Sequence, residues 1–125
     1  MAALEKQVGG NHYKKYVIEP VELFAAVKWD YFQSAIARYV LRHGDKNKEE
    51  DLQKAIHVAH LSHELDNVYA ATDTTRRFVA WFCKANQLEP RMCRLLHGIN
   101  EGCWNDVCFS VKELIKEYQS KEEEK

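Results

Sequence analysis

Proline is nearly absent from this chain, with Pro20 and Pro90 the two examples in 125 residues, and glycine occurs five times. Strand-like alternation of apolar and polar residues hardly occurs either. With few breakers and no period of two, helices must account for most of the structure. The common signatures of phosphate transfer and metal hydrolysis are missing as well. There is no GxxxxGK(S/T) loop, no GxGxxG after a strand and no HExxH. Acids repeated at one-turn spacing on two helices, which the all-α nucleotide pyrophosphohydrolases use for Mg²⁺, are not found. No serine or cysteine nucleophile can be paired with a base.

Charge of one sign is also lacking. A formal net charge of −1 excludes broad attraction to nucleic acid or an anionic membrane, so any anion site must be local. No apolar run approaches the length needed to cross a bilayer, and Met1 to Gln7 lacks the layout of a signal peptide. The expectation is a cytoplasmic protein. Its four cysteines, Cys83, Cys93, Cys103 and Cys108, form no CxxC pair and read as buried thiols. A zinc reading uses Cys93 and His97, one helical turn apart, with Cys103 and Cys108 following, although structural zinc sites present tighter ligand pairs.

What is present predicts an all-α fold, a compact bundle of five to six helices with an irregular N-terminal arm. Residues 1–125 read as a single helical domain: an arm over 1–18, motif-bearing helices over 19–71, a helical half over 72–120 and a charged tail over 121–125 that should fray. Pro20 opens a short helix, about Val21 to Lys28, burying Leu23, Phe24 and Val27. Asp30 caps a second helix that runs to about His43 before Gly44 stops it. Its apolar face is Phe32, Ile36, Tyr39 and Val40, and Ala35 and Ala37 allow close approach of a neighbour. A long helix is expected from about Lys48 to Ala71, with Leu52, Ala55, Ile56, Ala59 and Leu65 on its apolar parts. Thr72 to Thr75 is a capping break, followed by a helix with Phe78, Trp81, Phe82 and Ala85 inward. Pro90 opens another, carrying Met92, Leu95, Leu96 and Ile99, with Gly98 and Gly102 bracketing its end. The last helix has the cleanest pattern: Trp104, Val107, Cys108, Val111, Leu114, Ile115 and Tyr118.

On the long helix, Glu50, Gln53, His57, His60, Glu64 and Asn67 make a polar stripe. It reads as a solvated or subunit-facing surface; the sharper alternative makes His57, His60 and Glu64 metal ligands. The apolar faces of the long and final helices are more than a small monomer easily covers, which predicts self-association.

The unusual chemistry sits in the first half. Val8 to Tyr16 crowds Gly9, Gly10, Asn11, His12, Tyr13, Lys14 and Lys15 into one loop. Arg38 and Arg42 project from one side of the second helix, Lys46 lies in the turn, and Asp51 and Lys54 open the long helix. Arginines one turn apart can fork onto phosphate oxygens, a helix N-terminus favours an anion, and glycines let backbone amides approach one. The alternative is that Arg38 and Arg42 only pair with Asp51, Glu49 or Glu50 and that the arm is merely a tail.

Gly9-Gly10-Asn11-His12-Tyr13, Ile18-Glu19-Pro20, Arg38-Tyr39-Val40-Leu41-Arg42, Lys46 and Glu50-Asp51-Leu52-Gln53-Lys54-Ala55 stand in the order seen in a family of small bacteriophage proteins. Over residues 8 to 65 the chain resembles that family, most of whose members have no described function; one relative, from a podovirus, is a nucleoside monophosphate kinase without a P-loop. The resemblance implies a protein of the infected bacterial cytoplasm that binds a nucleotide, with ATP as co-substrate if it is a kinase. It carries over Gly10, His12, Tyr13, Arg38, Tyr39, Arg42, Lys46, Asp51 and Lys54 as the shared site, to which the anion-loop chemistry adds Asn11 and Lys14. Where members have Gly-Asn before the Arg-Tyr segment, this chain has Ser34-Ala35, which removes a side-chain amide able to read a base or a phosphate. Sequestration of a host signalling nucleotide, without turnover, is the alternative that departure favours. A third reading is a helical inhibitor that binds a host enzyme through its aromatic second half.

Overall fold

Each well-capped helix begins where the sequence offers its first N–H groups a partner. The computed structural model describes residues 16–44, 48–65 and 69–123. Six helices lie among them: α1 Pro20–Val27, α2 Tyr31–Arg42, α3 Lys48–Glu64, α4 Asp73–Ala85, α5 Pro90–Glu101 and α6 Trp104–Glu123, with no strand among the described residues. Pro20 and Pro90 occupy the first turns of α1 and α5, where a missing N–H costs nothing. At α2, Asp30 Oδ1 accepts from Gln33 N at 2.8 Å and Gln33 Oε1 accepts from Asp30 N at 3.2 Å, a reciprocal cap worth about 1 kcal/mol. Thr72 and Thr75 do the same for α4. Gly102 ends α5 in the left-handed region at φ 70°, which glycine adopts without a Cβ penalty.

The packing follows the apolar stripes. Helix α2 makes its most extensive contact with α3, α3 packs on α6, α6 on α5, and α5 back on α2. These four helices close a ring, with α4 laid on α5 and α1 on α4. Ile36, Val40, Leu52, Ala59, Leu96, Ile99 and Val111 are wholly buried, as are Ala35 and Ala37, whose small side chains let neighbouring helices approach closely. The pattern foreseen for α6 holds from Trp104 to Ile115, all of it buried, with Tyr118 half-buried.

Expectations of helix length and of which residues face inward are corrected as follows. The long helix ends at Glu64 rather than Ala71. Tyr69 instead leaves the helical path, bonds through its hydroxyl to Ser62 Oγ and packs edge-on against Trp104 at 5.2 Å; a continued helix would carry it about 10 Å along the axis from Ser62. Leu65 is therefore 64% exposed, not apolar core. The inner face of α4 is Val79, Phe82 and Cys83, and Trp81 points outward at 52% exposure. Helix α6 runs to Glu123. Phe24, expected to be buried, is half-buried and stacks on Trp29.

The two halves of the chain are tied by buried polar side chains. Trp29 Nε1 donates to Asn100 Oδ1 at 2.9 Å, and Gln33 Nε2 donates to the Ile99 carbonyl at 3.0 Å. These bonds fix α2 against the end of α5, so the face of α2 that carries Arg38, Tyr39 and Arg42 is presented on a rigid frame.

Candidate functional site

Residues three and four apart share a face of a helix, so Tyr39 and Arg42 on α2 lie together, as do Asp51 and Lys54 on α3. The α2–α3 contact brings the two pairs into one cluster. Arg42 Nε donates to Asp51 Oδ2 at 3.1 Å and Arg42 Nη2 donates to Oδ1 at 3.3 Å. Asp51 is wholly buried, while the Arg42 side chain keeps 22% of its surface in water. The planar fork thus sits on the carboxylate with both donors aligned, and its orientation is fixed from below.

Two cations approach the Tyr39 ring. The Arg42 guanidinium stands 5.1 Å from the ring centroid and the Lys54 ammonium 5.9 Å from it, both within the range in which a ring's negative face attracts charge. Lys54 also reaches Glu50 at 3.5 Å, one turn earlier, with 45% of the lysine side chain and 68% of the glutamate side chain exposed. Arg38, one turn before Arg42, is exposed. Ala35 is buried packing.

Of the residues singled out by sequence, Arg38, Tyr39, Arg42, Asp51 and Lys54 are therefore placed, and four of them form one contact cluster. Gly10, Asn11, His12, Tyr13, Lys14 and Lys46 lie outside the described residues. The inner end of the arm, from Tyr16, is described, and it is held against α2 and the end of α4. Tyr16 donates its hydroxyl to the Leu41 carbonyl at 3.2 Å and stacks on Phe82 at 6.1 Å. Asn86 Oδ1 accepts from Val17 N and Ile18 N at 2.7 and 3.1 Å, and Asn86 Nδ2 donates to the Ile18 carbonyl. Asn86 was not among the sequence candidates. Its signal was present, because an asparagine just past a helix of good pattern is a C-cap type, but its long-range partners were not legible.

The alternative clusters resolve differently. His57, His60 and Glu64 are exposed on α3, the solvated stripe in which the sequence also saw metal ligands. Cys93 and His97 are half-buried on α5, Cys103 is exposed and Cys108 is buried on α6. Among the described residues no three His, Cys, Asp or Glu side chains are grouped so as to hold a metal ion. Burial pushes the Cys83 thiol up to about 12, helped by its contact with Cys93, and raises that of Cys108; both behave as core thiols. Away from the cluster, the bond to Glu101 raises the exposed Arg76. No helix of the described residues is long and apolar enough to cross a membrane.

Residues 8–59 match the family described as a protein of unknown function, DUF3310. That match spans the arm, α1, α2 and most of α3, and so contains every residue of the Tyr39 cluster. No curated protein and no solved structure matches the chain.

Proposed function

We propose that the chain binds a nucleotide through the cations of α2 and α3, with the arm supplying a further wall. The observation that carries this reading is the meeting of the Arg42 guanidinium and the Lys54 ammonium at the Tyr39 ring, 5.1 and 5.9 Å from its centroid. Asp51 and Glu50 offset the two charges, and an anion with several oxygens gains charge-assisted bonds to both cations where it takes the place of the exposed Glu50 carboxylate. Arg42 needs no reorganisation, since Asp51 already fixes its plane. Besides its contact with the Tyr39 ring, Lys54 makes a surface pair to Glu50, an interaction worth about 0–1 kcal/mol. A phosphate displaces that carboxylate at little cost. Arg38, exposed one turn away, extends the cationic side.

Within this reading the catalytic form is a nucleoside monophosphate kinase, and the non-catalytic form is sequestration. One observation favours sequestration. Asp51 is wholly buried and both its oxygens accept from Arg42, so it is a positioning residue and does not orient an acceptor hydroxyl. His12 is then the remaining candidate for that role. Incubation with ATP and each nucleoside monophosphate, followed by chromatography, separates the two forms. Binding itself is tested by calorimetry on Lys54→Ala and Arg38→Ala, which leave the Arg42–Asp51 pair intact. Loss of nucleotide affinity with unchanged helical circular dichroism is expected, and unchanged affinity in both variants contradicts the reading.

A further inference from the structure

Phe109 sits on the outward side of α6, 68% exposed, among polar neighbours on that side such as Asn105, Asp106 and Lys112. A single exposed aromatic residue is ordinary. This one lines two hollows at once. On one side is a cleft of 570 Å³ between α5 and α6; on the other is a hollow of 440 Å³ between α6 and α3. Phe109 is thus a ridge flanked by cavities, on a face remote in sequence from the Tyr39 cluster.

The α5–α6 cleft has the features needed to receive a second copy of that ridge. Its lining includes Leu95 and Val107, both buried and apolar, and its volume exceeds the roughly 150 Å³ that suffices for a benzene ring in a protein cavity. Its rims differ in charge: the α5 side carries Arg91 and Arg94 with Glu101, whose carboxylate pairs with Arg76, and the α6 side carries Asp106 and Glu113. A two-fold interface requires one patch to carry both halves of the match. Here a protruding ring, a hollow that fits it and rims of opposite sign occur on one surface.

We infer that two copies of this chain dock through the α5–α6 face, each Phe109 entering the α5–α6 cleft of the other, with Arg94 of one copy meeting Asp106 of the second. With the two-fold axis running along the helices, the α5 side of each copy lies over the α6 side of the other, which sets the cationic rim over the acidic one at both ends. The Phe78–Trp81 pair on α4 is the competing apolar patch, but its hollow is lined by Thr74, Arg77, Phe78 and Trp81 and offers a cation with no acid opposite.

Sedimentation velocity at micromolar concentration tests this on the whole protein. The wild type sediments at twice its 14.6 kDa mass, and Phe109→Lys sediments as a monomer with unchanged circular dichroism. Arg94→Asp and Asp106→Arg each weaken dimerisation by about tenfold, and the two together restore it. Trp81→Lys leaves the dimer intact. A monomeric wild type, a dimer that survives Phe109→Lys, dissociation by Trp81→Lys, or a double charge exchange that fails to rescue would each overturn the inference.

Discussion

Arg42 donates through Nε and Nη2 to both oxygens of Asp51, at 3.1 and 3.3 Å, across the most extensive helix contact in the protein. The carboxylate is wholly buried, whereas the guanidinium retains partial access to water. That asymmetry decides what each substitution does. Arg42→Ala strands an ionised group in the core and should destabilise the fold by about 3 kcal/mol, the low end for breaking a buried pair because Arg42 is partly solvated. Asp51→Ala should cost less, since the released guanidinium can swing into solvent. Replacing both residues by leucine should be milder than Arg42→Ala. Urea denaturation of the three variants checks the order; equal losses for Arg42→Ala and the double variant would show that the pair contributes nothing special.

A consequence follows for binding experiments. Arg42→Ala would mix lost affinity with lost stability, because Arg42 also neutralises Asp51. Lys54→Ala and Arg38→Ala are the cleaner probes: Arg38 is exposed, and Lys54 contributes only a solvated ion pair and a contact to the Tyr39 ring. Each should leave stability within about 0.5 kcal/mol of wild type, as read by thermal denaturation.

Gly102→Ala should be strongly destabilising. The backbone there is left-handed at φ 70°, and an added Cβ would come within 2.6 Å of Tyr69 Cδ2. The conformational penalty alone is about 1–2 kcal/mol, and displacement of Tyr69 adds the loss of its contacts with Trp104 and Ser62. The check is the urea midpoint together with near-ultraviolet circular dichroism, which should change as the Tyr69–Trp104 contact is lost.

Cys83 gives a pH dependence with a defined sign. Burial raises its thiol from 9.0 to about 12 in the folded chain. Between these values the unfolded chain releases a proton that the folded chain keeps, so the stability Cys83 contributes is full below pH 9 and falls as pH rises toward 12. Cys83→Ala should flatten the alkaline decline in stability measured by urea titration at successive pH values. Alkylation near neutral pH should modify exposed Cys103 before Cys83 or Cys108, which are buried.

Much of the fold was legible because it is local. Asp30, Thr72, Pro20 and Pro90 mark helix starts through caps and missing donors, and the period from Trp104 to Ile115 names the buried side of α6 without ambiguity. The misplaced residues share a different cause. Leu65 and Trp81 were assigned to apolar faces by spacing, but Tyr69 is drawn to Ser62 and Trp104, and α4 is rotated to bury Val79 and Cys83. Those are tertiary choices that a period cannot express. At the candidate site the sequence grouped Tyr39, Arg42, Asp51 and Lys54, which are neighbours in the structure, and raised the Arg42–Asp51 pair as an alternative to phosphate binding. It could not show that the pair and the Tyr39 cation cluster coexist, with Asp51 behind Arg42 rather than facing a ligand. Asn86 was illegible for the reason that its partners, Val17 and Ile18, lie nearly seventy residues away.

Calorimetric titration of the wild type and of Lys54→Ala with a panel of nucleoside mono-, di- and triphosphates tests the central claim most directly. The account predicts saturable binding of at least one nucleotide by the wild type and at least about tenfold weaker binding by Lys54→Ala, the loss of one charge-assisted contact. No binding to any of them, or equal affinity in the two proteins, would contradict it.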